Sequence, residues 1–124
     1  MGETVSMMGN GSSSSASSST SMTNLDGMVD GLIQSNCVVI FSKTTCSYCK
    51  MAKRVFENLG VPYTAVELNQ LENGRDVQKI LASMTGSATV PRVFINGTCI
   101  GGGTETRQLQ KQGLLLPLLD RCTF

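Results

Sequence analysis

Lys43-Thr44-Thr45-Cys46-Ser47-Tyr48-Cys49 is the most informative stretch of this 124-residue chain. It follows an apolar run at residues 37–41 and precedes a segment with apolar residues at helical spacing, namely Met51, Ala52, Val55, Phe56 and Leu59. This order predicts a buried strand, a short polar loop and a helix that begins at the two cysteines. Because the cysteines are three residues apart, they would lie on one face of the first helical turn.

The position of Cys46 at the start of a helix predicts redox chemistry. Backbone N–H groups in the first turn have no intrahelical partner, and the helix dipole is positive there. Both features favour the thiolate form of a cysteine, which is the nucleophile in thiol–disulfide exchange. An inert structural role for Cys46 is the weaker alternative, since paired thiols at this spacing are typical of redox or metal sites.

Composition excludes several other classes of function. The Lys and Arg residues number 10 and the Asp and Glu residues 9, so no large net charge favours a nucleic-acid or membrane partner. The chain has no histidine, which excludes His-based acid–base catalysis and His metal ligands. No apolar run is long enough for a transmembrane segment. A zinc module is disfavoured because a second Cys-x-x-Cys pair is lacking.

Residues 1–23 are rich in Ser and Gly and are expected to form a disordered tail before a domain at residues 24–124. The tail resembles neither a secretory signal nor an Arg-rich transit peptide, because no Lys or Arg precedes Lys43. We therefore expect a cytoplasmic location, with a mitochondrial one less favoured. Met1-Gly2 with Ser6 fits the N-myristoylation pattern, but a plain flexible tail is favoured.

The alternation of strand and helix patterns predicts an α/β fold. A first helix over Leu25–Ile33 precedes the strand at residues 37–42, and Tyr63–Glu67 reads as a second strand after the cysteine helix. Two strands joined through a helix predict a parallel pair with a right-handed crossover. A turn at Asn73-Gly74 leads into a third helix that ends before Gly86.

The second half of the chain predicts a hairpin followed by helix. The runs Arg92–Ile95 and Thr98–Ile100 flank Asn96-Gly97, which is the strongest short-range signal for a β-hairpin. A last helix begins at or near Thr104, and Pro117 kinks or restarts it. A parallel pair joined to an antiparallel pair gives a four-stranded mixed sheet flanked by helices.

Three motifs together resemble the glutaredoxin family. They are the stretch at residues 43–49, Thr89-Val90-Pro91, and Asn96-Gly97 followed by Gly101-Gly102. The resemblance extends from about residue 25 to the end of the chain and implies a thioredoxin-like three-layer sandwich. It also implies a glutathione-dependent oxidoreductase, with glutathione as substrate and cofactor. Its partners would be glutathionylated or disulfide-bonded proteins.

The resemblance assigns roles to individual residues. Cys46 would be the nucleophile and Cys49 the resolving thiol, with a redox-active disulfide between them. Lys43 would add a positive charge, or would be only a solvated loop lysine. The residues implied to bind glutathione are Lys43, Cys46, Tyr48, Gln78, Val90, Pro91, Gly102, Gly103, Thr104 and Glu105. The Val90–Pro91 bond would be cis, and Glu105 replaces the Asp that is usual in the family.

Two further inferences come from the resemblance alone. Ser47 stands where many family members carry Pro, so Cys46 would be able to ligate a [2Fe–2S] cluster held by two chains and two glutathiones. The chain would be a homodimer with the cluster and otherwise a monomer, and an iron–sulfur carrier or redox sensor is the alternative function. Cys37 and Cys122 would form a structural disulfide, or would be two separate buried thiols.

Overall fold

One mixed sheet forms the centre of the molecule. The computed structural model describes residues 17–122, with side chains from residue 24 onward. The strands are β1 (Val38–Ser42), β2 (Thr64–Glu67), β3 (Arg92–Ile95) and β4 (Thr98–Gly101), in the order β2-β1-β3-β4. β1 runs parallel to β2 and antiparallel to β3, which pairs antiparallel with β4. The predicted four-stranded mixed sheet is confirmed.

The described helices are α1 (Ser17–Ser35), α2 (Ser47–Asn58), α3 (Gly74–Thr85), α4 (Gly103–Lys111) and α5 (Leu115–Leu119). α1 begins before residue 24, the predicted start of the domain. The predictions of disorder and N-myristoylation fall mainly on residues 1–16, which lie outside the described residues. No helix among residues 17–122 is both long and apolar enough to cross a bilayer.

Alternate residues of β1 face two separate cores, because successive side chains of a strand point to opposite faces of the sheet. All five residues of β1 are buried. One core contains Val39 and Phe41 together with apolar residues of α1 and α3. The other contains Val38 and Ile40 together with apolar residues of α2 and α5. Helices therefore cover both faces of the sheet, as the three-layer sandwich requires.

The predicted turn before α3 is present, because the Gly74 N–H donates to the Leu71 carbonyl at 3.2 Å, but Gly74 is also part of the helix. Asn73 is the N-cap and the buried Gly74 is the first helical residue. A side chain at Gly74 would collide with the carbonyl group of Leu68. Leu68 belongs to a short 3-10 helix at residues 68–70 that the sequence did not predict. Glycine is needed here for close packing rather than for a turn.

The end of the chain forms a separate helix. α4 ends at Lys111, and Gly113 follows with a φ of 72°. Pro117 is the third residue of α5, where its missing N–H has no intrahelical partner to lose. Pro117 is therefore compatible with a restarted helix. Cys122, just beyond α5, is joined by a disulfide to Cys37 beside β1, with Cα atoms 5.6 Å apart.

Candidate active site

The sulfur of Cys46 lies at the N-terminus of α2. Cys46 is the N-cap residue, and its Sγ accepts a hydrogen bond from the backbone N–H of Cys49 at 3.3 Å. The side chain is half-buried and carries a free thiol. The helix thus offers an N–H donor and a positive dipole end to this sulfur, and both favour negative charge on it. Cys46 therefore has the surroundings of an attacking thiolate.

Cys49 lies deeper in the same helical turn. Its side chain is 0 % exposed, whereas that of Cys46 reaches the surface. Burial raises the pKa of the Cys49 thiol, and hydrogen bonding to Cys46 raises it further. A raised pKa keeps a thiol protonated at neutral pH. The two thiols therefore differ in access, as expected for an attacking and a resolving cysteine.

The loop before Cys46 is held by a residue that the sequence did not identify. Asn69 accepts a hydrogen bond from the Thr44 N–H at 3.1 Å and donates one to the Thr44 hydroxyl at 2.7 Å. Within the loop, the Cys46 N–H donates to the Lys43 carbonyl at 3.1 Å. Asn69 lies in the unpredicted 3-10 helix, so no local sequence signal connected it with the loop.

A second loop, which leads into β3 next to β1, lies beside Cys46. The Val90–Pro91 peptide bond is cis, and the Val90 carbonyl oxygen lies 3.8 Å from the Cys46 sulfur. Arg92, which the sequence did not single out, donates from Nε to the carbonyls of Thr89 and Pro91, each at 3.1 Å. The guanidinium group therefore braces this loop from within.

Gln78 and Lys43 line a groove beside the loop that precedes Cys46. The groove has a volume of about 470 Å³ and also contains Asn69 and Arg75. Gln78 Nε2 donates to the Ala88 carbonyl, which leaves its Oε1 atom to accept. Arg75 is an exposed cation three residues before Gln78 on α3, so helical spacing could have identified it. Glu72 and Asp76 also line the groove, so its charges are balanced. Within it, the two cations and the Gln78 amide are the groups that can bind a carboxylate.

The N-terminus of α4 closes the opposite side of the site. A Cβ atom on Gly103 would lie 2.8 Å from the Tyr48 carbonyl oxygen and 3.1 Å from Met51 Cε. Only glycine permits this approach of α4 to the first turn of α2. Tyr48 itself is 57 % exposed and presents its ring at the surface.

Glu105 is engaged by its own helix. Its Oε1 accepts from the Gly102 N–H at 2.7 Å, as in a capping box. Hydrogen bonds from the backbone N–H groups of Gly102 and of Glu105 hold its carboxyl pKa below the ordinary value, with a smaller contribution from Arg92. The neighbouring Thr104 is exposed on the first turn of α4. The Glu105 carboxylate would therefore both cap α4 and contact the γ-glutamyl end of glutathione, as the resemblance implies.

Comparison with known proteins places this geometry in a family. The family model described as Glutaredoxin matches residues 38–100, which include both cysteines and the cis-proline loop. The chain belongs to the glutaredoxin family. Glutaredoxins are oxidoreductases, and a redox function agrees with the paired thiols at the start of α2.

Curated glutaredoxins are similar over nearly the whole chain. "Glutaredoxin-2, mitochondrial" of Bos taurus is 50% identical over 118 residues, which cover 95% of this chain and 75% of the relative. The protein of the same name from Mus musculus is 51% identical over 115 residues, covering 93% and 72% of the two chains. The presence of Ser47 between the cysteines resembles vertebrate glutaredoxin 2, and these relatives agree with that resemblance.

Solved glutaredoxins share the fold. The buckwheat glutaredoxin–glutathione complex superposes with a TM-score of 0.80 at 37% identity, covering 86% of this chain and 96% of that one. The holo form of glutaredoxin C1 from Populus tremula x tremuloides gives a TM-score of 0.77 at 39% identity, covering 80% and 98%. The predicted thioredoxin-like fold is confirmed.

The predicted cytoplasmic location is wrong. The relatives from Bos taurus and Mus musculus are both named as mitochondrial glutaredoxins. The prediction depended on the lack of Lys and Arg before Lys43. Basic composition alone was a poor criterion, since similarity over the folded domain points to the mitochondrial group.

Proposed function

We propose that this glutaredoxin is a glutathione-dependent thiol–disulfide oxidoreductase that removes glutathione from proteins and reduces protein disulfides. The proposal rests on the position of the Cys46 sulfur. This sulfur accepts a hydrogen bond from the Cys49 N–H at 3.3 Å and lies 3.8 Å from the Val90 carbonyl oxygen. A reactive sulfur is thus set between a helix N-terminus and a loop that can align a peptide. The buckwheat relative solved with glutathione supports the choice of thiol substrate.

Deglutathionylation requires only Cys46. Its thiolate attacks the glutathione sulfur of a protein–glutathione mixed disulfide, so a new bond joins Cys46 to glutathione. The protein sulfur leaves as a thiolate and takes a proton from water. A second glutathione thiolate then attacks the bound glutathione sulfur, releases glutathione disulfide and restores the Cys46 thiolate. One free glutathione thus reduces the protein–glutathione disulfide, and the products are the protein thiol and glutathione disulfide.

Binding residues orient the tripeptide during these steps. Lys43, Gln78 and Arg75 line the groove that would receive the glycine carboxylate of glutathione. Val90 and Pro91 would pair with its cysteinyl backbone as an added strand. Thr104 and Glu105, at the N-terminus of α4, would hold the γ-glutamyl end. Gly103 keeps that terminus close to α2, and Gly102 keeps it close to Pro91. Tyr48 forms the exposed rim of the site.

Reduction of a protein disulfide requires both thiols. Cys46 attacks one sulfur of the disulfide and releases the other as a thiolate, leaving a mixed disulfide with the protein. Cys49, once deprotonated, attacks Cys46 and releases the second protein thiolate. The resulting Cys46–Cys49 disulfide is reduced by two glutathiones. Burial of Cys49 next to Cys46 suits an intramolecular attack.

The two serine variants test this division. We expect Cys46→Ser to abolish both activities, because it removes the attacking sulfur. We expect Cys49→Ser to keep substantial deglutathionylation and to lose protein-disulfide reduction. The measurements are turnover of a glutathionylated protein and of a protein disulfide, each with glutathione. A Cys49→Ser variant as inactive as Cys46→Ser on the glutathionylated protein would contradict the one-thiol route.

A second candidate function is the binding of a [2Fe–2S] cluster by two chains. Residues 24–122 contain no group of three metal-ligating side chains, so these residues of one chain do not supply four ligands. Cys46 is accessible whereas Cys49 is 0 % exposed, so Cys46 is the residue of this site that would be able to ligate. Two Cys46 sulfurs and two glutathione sulfurs would supply the four thiolates such a cluster needs. A bound cluster would occupy Cys46, so this form would serve as a carrier or sensor.

An anaerobic preparation with glutathione separates the two candidates. A coloured species with the mass of a dimer on gel filtration, bleached when glutathione is removed, supports cluster binding. Cys46→Ser should remain colourless and monomeric under the same conditions. A colourless wild-type monomer that turns over glutathionylated protein would contradict the second candidate and leave the first intact.

A further inference from the structure

A second groove, distinct from the Lys43–Gln78 groove, adjoins Cys46 through Ser47. It has a volume of about 420 Å³ and lies between α2 and α4. We call it the basic groove, and the residues lining it are Ser47, Lys50, Met51, Arg54, Val55, Asn58, Arg107 and Gln110. The two grooves share no lining residue. Both can therefore be filled at the same time.

The basic groove concentrates positive charge. Lys50, Arg54 and Arg107 are all exposed, and no acidic side chain lines the groove. None of the three forms an ion pair with another residue in the described part of the chain. The whole chain has a formal net charge of only +1, so this cluster is a local feature rather than a general excess of base.

The positions of the cations are fixed by the two helices. Lys50 and Arg54 are four residues apart on α2 and so lie on one face. Arg107 reaches across from α4, where its Nη1 lies 3.8 Å from the Met51 sulfur. The half-buried Met51 and the buried Val55 give the groove an apolar floor between the charges. An extended segment with acidic residues around one apolar side chain would fit this arrangement.

The chemistry at Cys46 indicates what would occupy the basic groove. A protein–glutathione mixed disulfide has two halves, and its glutathione half would extend from the Lys43–Gln78 groove past Val90 to the N-terminus of α4. The protein half must leave the reacting sulfur in another direction, and the basic groove begins at the residue next to Cys46. If the protein half enters the basic groove, it is therefore held close to the disulfide bond that Cys46 attacks.

We propose that the basic groove binds an acidic segment of the protein substrate, so that this glutaredoxin prefers target cysteines flanked by Asp and Glu. The inference rests on the proposed function and specifies its substrate class. Exposed charges at the rim of an interface mainly raise association rates and set salt dependence. The preference should therefore appear in kcat/KM and weaken as salt is added.

Matched glutathionylated peptides test the inference. The two peptides differ only in carrying Asp and Glu or carrying Lys beside the modified cysteine. We expect the wild-type protein to prefer the acidic peptide by about three- to tenfold in kcat/KM. The double variant Arg54→Glu with Arg107→Glu should abolish or reverse the preference. Lys79→Glu, an exposed cation on α3 outside the basic groove, is the matched control and should retain it.

The mixed disulfide of free cysteine and glutathione separates the two possible failures. It has no flanking residues, so the double variant should turn it over at the wild-type rate. The inference would be overturned by equal kcat/KM on the two peptides, or by an acidic preference that survives in the double variant. In either case, turnover of the small disulfide would still support the proposed function. No turnover of the small disulfide by the wild-type protein would overturn both.

Discussion

The Cys46 sulfur accepts a hydrogen bond from the backbone N–H of Cys49 at 3.3 Å, so the helix that carries both thiols also stabilises the first of them. The same turn buries Cys49 completely. One turn of helix thus makes one sulfur accessible and well suited to carry negative charge, and keeps the other protonated and enclosed. The separate roles proposed for the two cysteines follow from this difference.

The buried thiol predicts two different pH profiles. Burial raises the pKa of Cys49, so its thiolate fraction grows as pH rises toward that raised value. We expect protein-disulfide reduction, which needs the Cys49 thiolate, to keep increasing at alkaline pH. Transfer of glutathione from a glutathionylated peptide to Cys46 in Cys49→Ser, followed without free glutathione, should lack this rise. Stopped-flow rates across pH 6 to about 10 measure both, and coincident profiles would contradict the assignment of Cys49 as the resolving thiol.

The link between Asn69 and Thr44 predicts a kinetic effect. Asn69→Ala removes two hydrogen bonds that position the loop before Cys46. We expect a loss of about 0.5–1.5 kcal/mol in unfolding free energy and a several-fold fall in kcat/KM for a glutathionylated peptide. Gln70→Ala, at the exposed neighbouring residue, is the control. Wild-type kinetics in Asn69→Ala would mean that the loop is positioned by other contacts.

The close approach of α4 to α2 predicts that two glycine-to-alanine variants differ in stability. An alanine Cβ at Gly103 would lie 2.8 Å from the Tyr48 carbonyl, a backbone atom that cannot turn away. We expect Gly103→Ala to cost about 1–3 kcal/mol of stability and to raise the KM for glutathione. At Gly31, in α1, nothing lies within 4 Å of the added Cβ.

Gly31→Ala should therefore stabilise the protein by about 0.5–1 kcal/mol, because alanine favours the helix. Thermal and urea unfolding of both variants give the comparison. Equal stability of the two variants would show that α4 can shift freely, contrary to the packing described for Gly103.

The carboxylate that caps α4 predicts a pH-dependent stability. The folded-state pKa of Glu105 is lowered by backbone hydrogen bonds, so its contribution is complete above the unfolded value of about 4.3. That contribution is lost as pH falls through the lowered folded value. Because Glu105 is exposed, we expect Glu105→Gln to cost only about 0.5 kcal/mol at pH 7.

The difference between Glu105→Gln and the wild type should shrink toward zero in acid. Urea unfolding at pH 7 and at about pH 3 measures it. Glu72→Gln removes another exposed carboxylate and serves as the control. A difference that grows on acidification would contradict the capping role of Glu105.

Local patterns were sufficient where a signal lies within a few residues. The Asn96-Gly97 hairpin is present, with φ values of 51° and 85° that suit the predicted tight turn. The parallel pairing of β1 and β2 through α2 follows from the order of elements. The cis Val90–Pro91 bond, which the family resemblance implied, is also present.

Features created by contact between distant segments were not predictable. Asn69 meets Thr44 across 25 positions of sequence, and its own 3-10 helix has no clear pattern. Gly74 closes the predicted turn, but its close packing against the Leu68 carbonyl arises only in the folded chain. Arg92 braces the cis-proline loop from a strand position that gives no sign of this role.

The central claim is that Cys46 forms a covalent adduct with glutathione during turnover. The most direct measurement is mass spectrometry of the Cys49→Ser variant, quenched in acid after mixing with a glutathionylated peptide and no free glutathione. We predict one added glutathione per chain, mapped to Cys46, and release of an equal amount of reduced peptide. An unmodified Cys46 with peptide still fully glutathionylated, or an adduct on Cys99 instead, would contradict the account.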